Sequence, residues 1–158
     1  YHFQNMKLVK PETIPLLYAG AMGVNGVTAM VFGRAFDRFG VVVLVIGILL
    51  SIFALPLGFL GGSAAVVGAV ACWGIGLGAQ DASLRAGISQ VVSMNKRGSA
   101  FGYFNFVFGL AWLAGSAAMG YLYGRSPSEL VAFGVTAQLI AAVMFFALRR
   151  PLAAAATA

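Results

Sequence analysis

Gly33-Arg34-Ala35-Phe36-Asp37-Arg38-Phe39-Gly40 sets three charges between two long uncharged apolar runs, residues 13 to 33 before it and residues 41 to 60 after it. Each run is long enough to cross a bilayer, because a helix rises about 1.5 Å per residue and 20 residues span roughly 30 Å of hydrocarbon. The stretch therefore reads as a tight charged loop joining two membrane helices. Working outward, residues 41 to 80 carry no charge at all. That is about twice the length of one crossing, so the chain must turn back within it. Pro56, Gly58, Gly61 and Gly62 form the breaker cluster that marks the turn.

The rest of the chain has the same character. Of its 158 residues 61% are hydrophobic and only 9% are charged, a balance no soluble domain of this size requires. Inside a bilayer every backbone polar group must be satisfied internally, so such runs become helices rather than open sheet. The expectation is an all-α, polytopic membrane helix bundle, a single domain over residues 1–158, with five transmembrane helices near 13–32, 41–59, 63–92, 99–122 and 129–148.

Lysine and arginine in short loops stay preferentially on the cytoplasmic side. The loops holding Arg34, Arg38, Lys96, Arg97, Arg149 and Arg150 outweigh those holding Lys7, Lys10 and Arg125. The C-terminus is therefore expected in the cytoplasm and, with an odd number of spans, the N-terminus outside. The net charge of +6 is dispersed at helix ends rather than gathered on one face, which favours anionic lipid headgroups over nucleic acid. Cys72, the one cysteine, lies mid-span and reads as apolar packing. The first residue is Tyr, with no signal-peptide pattern before the first span, so the chain reads as beginning inside a longer protein.

Loop and following helices together carry a family resemblance. Gly33 to Gly40 resembles the Gly-x-x-x-Asp-Arg/Lys-x-Gly loop of the major facilitator superfamily of transporters. Val41 and Val42 stand where two basic residues usually close that pattern, which favours the copy in the second half of such proteins. Gln80-Asp81-Ala82-Ser83-Leu84-Arg85-Ala86, followed by Asn95-Lys96-Arg97-Gly98-Ser99-Ala100-Phe101-Gly102-Tyr103-Phe104-Asn105, is similar to the end of the tenth helix, the next loop and the start of the eleventh in bacterial members. The resemblance implies that the five spans correspond to helices eight to twelve, part of the C-terminal six-helix half, with Tyr1-His2-Phe3-Gln4 at the outer end of helix seven. It further implies a bacterial cytoplasmic membrane transporter in which a small-molecule substrate binds between two halves and access alternates by rocking. The N-terminal half of the same transporter is then a necessary partner, together with the lipid bilayer, and no cofactor is implied.

The resemblance implies that Gly33, Arg34, Asp37, Arg38 and Gly40, at the positions of the loop that holds and releases the two halves, act in gating rather than in binding solute; an ordinary topology-setting charged loop is the plainer alternative. Asp37 is expected near the start of the following helix, where free amides and the helix dipole favour a carboxylate, and Gly33 and Gly40 are expected to turn the chain. Asp81 and Arg85, four apart in an apolar span, share one helical face. Buried ionisable groups normally face the bundle interior and pair. Their roles stay open between a gating ion pair, proton coupling and snorkelling to the interface.

Gly74, Gly78, Ala82 and Ala86, and likewise Ser116, Gly120 and Gly124, form small-residue ridges that permit close helix approach. Asn25, Thr28 and Gln80 are candidates for lining the substrate pathway; each could equally bond to a neighbouring helix. Asn105 reads as packing or gating, and Phe104, Phe108 and Trp112 as an aromatic stripe. One histidine and one cysteine assemble no zinc site or His-based catalytic set, which argues against an enzyme. The alternative to a transporter is a stand-alone five-span membrane protein, an assembly partner or a decayed half-transporter.

Overall fold

The structure, a computed structural model, describes residues 2–156 and the side chains of residues 2–149. Tyr1 of the expected helix-seven end and the side chain of Arg150 lie outside the described residues. In chain order the helices are α1 His2–Asn5, α2 Ile14–Phe39, α3 Val42–Ser51, α4 Ala54–Phe59, α5 Val66–Val91, α6 Arg97–Arg125 and α7 Pro127–Ala156. Short 3-10 turns at Pro11–Thr13, Ser63–Ala65 and Met94–Lys96 lead into α2, α5 and α6. With these turns, five segments are long and apolar enough to cross a membrane: Pro11–Phe39, Val42–Phe59, Ser63–Val91, Met94–Arg125 and Pro127–Arg149. They match the five expected spans, and the protein is an all-α membrane helix bundle.

The first boundary differs from expectation. Gly33 to Phe39 is not a loop but the last two turns of α2, and the reversal is confined to Gly40 and Val41. Nothing between Arg34 and Phe39 breaks a helix, and arginine and alanine favour one. Gly40, at φ +61° and ψ −144°, takes a positive-φ conformation that glycine alone adopts readily and that ends α2, with its amide donating to Phe36 O at 2.8 Å. The second span is interrupted between Ser51 and Ala54. Pro56 causes it, having no N–H to give to the carbonyl of Ile52.

α5 is the central helix. Its two packing faces are set by residues with little or no side chain. On one face Gly74 and Gly78 let α2 approach, Gly74 beside Ala21 and Val24 and Gly78 beside Asn25, Thr28 and Ala29. Gly33 meets Ala82 and Phe36 meets Gly87 further along, so α2 and α5 run parallel. On the other face Gly76 meets Ser51 and Ala79 meets Gly47, while Ala69 meets Gly58, so α3 and α4 run antiparallel to α5. α7 lies on the far side of this span, Leu55 against Gly134. The first small-residue ridge is thus a packing surface, whereas Gly120 and Gly124 of the second meet nothing within 4 Å.

A polar contact joins α3 to α7 at the level of Gly76. The Ser51 hydroxyl lies 2.8 Å from Ile48 O and 3.2 Å from Gln138 Oε1. One proton cannot serve both, but turning the Gln138 amide over lets it donate to the hydroxyl while the hydroxyl donates to Ile48. Interhelical hydrogen bonds in membranes average about 0.6 kcal/mol. Gln138→Leu is therefore expected to lower the melting temperature in detergent by no more than a few degrees, because Ser51 retains its carbonyl partner; a collapse of the folded peak would show that the contact organises the bundle.

Antiparallel threading gathers the charges at the two ends. One end holds the end of α2, the α5–α6 turn and the end of α7, and with them Arg34, Asp37, Arg38, Lys96, Arg97 and Arg149. The other holds α1, Lys7, Lys10 and Arg125, the last pairing with Glu129 at 3.4 Å across the α6–α7 junction. Between the ends the outward surface is apolar. Leu16, Val27, Val67, Leu113 and Val143 are all largely exposed, and α6 buries no residue at all among those described.

Candidate gating site at the charged end of the bundle

The last turns of α2 carry Arg34, Asp37 and Arg38, all three exposed. Between them Phe36 is buried, 2% exposed, with its ring edge 3.8 Å from where a Cβ on Gly87 would stand. The apolar residue of the signature thus clamps the end of α2 onto α5 while its charged neighbours face outward. Arg34 donates to Met30 O at 3.3 Å within its own helix, and the Arg38 guanidinium stands 5.4 Å from the centre of the Phe39 ring. Asp37 makes no salt bridge among the described residues.

Asp37 does not sit where the sequence suggests. It belongs to the last turn of α2, at the negative end of that helix's dipole, and α3 is preceded by Val41 with no side-chain cap. The reason is the boundary: with the helix running on to Phe39, the carboxylate lies before the turn rather than after it. It is held by neither dipole nor partner within this chain's described part.

Asp81 and Arg85 share a face, as their spacing requires, with Arg85 Nη2 3.9 Å from Asp81 Oδ1. The expected interior position is corrected, for the side chains are 54% and 71% exposed, Asp81 the less. Asp81 and Arg85 follow Gly74 and Gly78 at seven-residue spacing, so they continue the margin of the face that α5 turns to α2 and are exposed where α2 leaves it uncovered. Gly33 opposite Ala82 puts the two charged sets at one level of the bundle, yet no ion pair joins them among the described residues.

Of the candidate pathway residues, Asn25 and Thr28 fall at the α2–α5 contact. Thr28 is buried within it, next to Gly78, and Asn25 and Gln80 are half-buried. Asn105 is exposed on α6. The aromatic stripe on that helix forms as spaced, with ring centres 5.6 Å apart for Phe104 and Phe108 and 5.7 Å for Phe108 and Trp112. At the opposite end of the bundle a cleft of about 650 Å³ opens between α2, α5 and α6, lined by Tyr18, Trp73, Met119 and Tyr123 among others. His2 closes it above, its Nδ1 joined to the Tyr123 hydroxyl at 3.0 Å and its ring centre 4.9 Å from that of Phe59.

Sequence reasoning missed two positions. Phe36 was one apolar letter in a charged stretch, and only its burial marks it. Arg97 counted merely as a loop cation, but its guanidinium donates to Ser89 O and Val92 O at the end of α5. No periodicity signals a side chain that reaches backward across a turn.

The family model for the Major Facilitator Superfamily matches residues 6–158. An uncharacterized protein of Mycobacterium bovis and uncharacterized proteins of two Mycobacterium tuberculosis strains are each 32% identical over 151 residues, covering 96% of this chain and 37% of the relative. The chain thus spans little more than a third of the length of these curated relatives. No solved structure matches.

Proposed function

The chain belongs to the Major Facilitator Superfamily, and from this premise we propose that it is part of a secondary transporter that moves a small solute by alternating access, driven by a proton gradient or by the solute's own gradient. It lies in a bacterial cytoplasmic membrane, with the charged end and the C-terminus in the cytoplasm and α1 outside, as the excess of basic residues at that end favours. The observation that carries the reading is the placement of Arg34, Asp37, Arg38, Asp81 and Arg85. They sit at one level, at positions of α2 and α5 that stay exposed, with Asp37 unpaired within the described part. Such charges suit contacts made to the N-terminal half of the transporter in one state and released in the other. Asn25, Gln80 and Thr28 are assigned to the solute pathway, with Asn25 and Thr28 further from the charged end along α2.

The test is reconstitution of the full-length protein in proteoliposomes, with uptake from panels of labelled sugars, organic ions and lipophilic compounds under an imposed proton gradient. Saturable uptake that empty vesicles lack supports the reading. A protein whose native chain has five spans and moves nothing belongs to the stand-alone class. We place Asp81 in the gate rather than in proton coupling, since it stands beside Arg85 and level with the charged end of α2, where Gly33 lies opposite Ala82. Asp81→Asn is expected to slow uptake several-fold while leaving its dependence on the proton gradient intact; uptake that no longer responds to the gradient would move Asp81 to the coupling site.

A further inference from the structure

We propose that Arg97 is a positioning residue that sets the angle between α5 and α6. α5 ends at Val91, and the carbonyls of its last turn find no amide further along the helix. Arg97, the first residue of α6, reaches back over the Met94–Lys96 turn to supply donors: Nη2 to Ser89 O at 2.7 Å and Nε to Val92 O at 3.2 Å. Both bonds come from one planar guanidinium, so its orientation is tied to the end of α5 while its root is in the first turn of α6. Helix dipoles reinforce the direction. A cation is disfavoured at the N-terminus of α6 and favoured at the C-terminus of α5, so the charge is drawn off its own helix and onto the preceding one.

Between α5 and α6 little else holds this angle; the far end of α6 is tied instead to α1 and α4, through Tyr123 to His2 at 3.0 Å and to the Phe59 ring at 6.0 Å, and to α7 through Arg125 and Glu129. α6 buries no residue and packs chiefly on α7, and Gly102, Gly109, Gly115 and Gly120 along it meet nothing within 4 Å. Toward the far ends the cleft of about 650 Å³ separates Trp73 of α5 from Met119 and Tyr123 of α6. The two helices are joined at one end and apart at the other. Over 29 residues, the length of α6, a helix rises about 43 Å, so a change of roughly 10° at the joint displaces its far end by about 7 Å. A side chain that fixes the joint therefore sets the width of the cleft together with the contacts of Tyr123 to His2 and Phe59.

The inference is tested without knowing the solute, and so independently of the transport reading. In the full-length protein in lipid nanodiscs, with Cys72→Ala as background, spin labels at Val67→Cys and Tyr121→Cys report the separation of the far ends of α5 and α6, both sites being exposed. A second pair, Val27→Cys with Val67→Cys, reports α2 against α5. Arg97→Ala is expected to shift or broaden the first distance distribution by about 5 Å or more, and Arg97→Lys, which keeps the charge but loses the fork, by less. The second distribution is expected to stay as it was. A first distribution unchanged in folded Arg97→Ala overturns the proposal, as does equal broadening of both pairs, which would mean general loosening. Should Arg97→Ala fail to fold, Arg97→Lys decides: a distribution identical to the parent's rules out positioning by the fork.

Discussion

Gly78→Val is expected to remove most of the folded protein from a detergent extract, leaving an aggregated peak on size exclusion. A Cβ at position 78 would stand 2.5 Å from Asn25 O, 2.8 Å from Thr28 Cβ and 2.9 Å from Ala29 N. Two of these are backbone atoms of α2, which no rotamer change can move aside. α2 would have to withdraw by more than an ångström, giving up the equally close approach at Gly74, where a Cβ would stand 2.7 Å from Ala21 O. Overpacking that side chains can absorb costs about 1–3 kcal/mol. Here the obstacle is backbone, and lipid supplies no hydrophobic force to press the helices back together. Gly109→Val on α6, where nothing lies within 4 Å, is the control and is expected to melt within a few degrees of the parent. Equal melting temperatures for the two variants would show that the α2–α5 contact does not govern stability.

Asp37→Asn is expected to lower the initial rate of uptake by the full-length transporter at least tenfold while leaving solute affinity nearly unchanged. The substitution preserves size and removes only the charge. Phe36, buried beneath Gly87, continues to hold the end of α2 in place, so the helix itself stays where it is. Asp37 is exposed in the last turn and unpaired among the described residues, at the less favourable end of the dipole. Its stabilising contact in the proposed mechanism is therefore with the other half and exists in only one of the two states. Losing about 1.4 kcal/mol of such a contact changes the population ratio tenfold. Solute affinity is spared because the residue lies at the end of the bundle, away from Asn25. Proteoliposome rates set against equilibrium solute binding separate the two effects, and an unchanged rate would refute the gate.

Much of this was legible beforehand, and the exceptions share a cause. The uncharged length from Val41 to Gln80 required a turn, and Gly61 and Gly62 lie in it; Gly74, Gly78 and Ala82 spelled a close-packing ridge, and α2 lies along it. Gly33 was misread as a turn residue because glycine serves two purposes, and only the presence of Ala82 opposite reveals the second. That one boundary carried Asp37 from the favourable end of one helix to the unfavourable end of another. Asp81 and Arg85 were correctly placed on a common face, but whether they turn inward depends on how far α2 covers that stretch of α5.

Five crossings of a membrane were determined by the sequence alone, because hydrocarbon leaves each segment to satisfy its own backbone hydrogen bonds, a local requirement that length and apolarity express. Membership of the superfamily was likewise visible in a few charged residues at set spacing. Which helix lies on which, the parallel course of α2 and α5, the bond from Ser51 to Gln138 and the reach of Arg97 were decided only in the tertiary structure. Helices already in lipid gain nothing from hiding apolar surface, so their association rests on shape and on single hydrogen bonds between residues far apart in the chain.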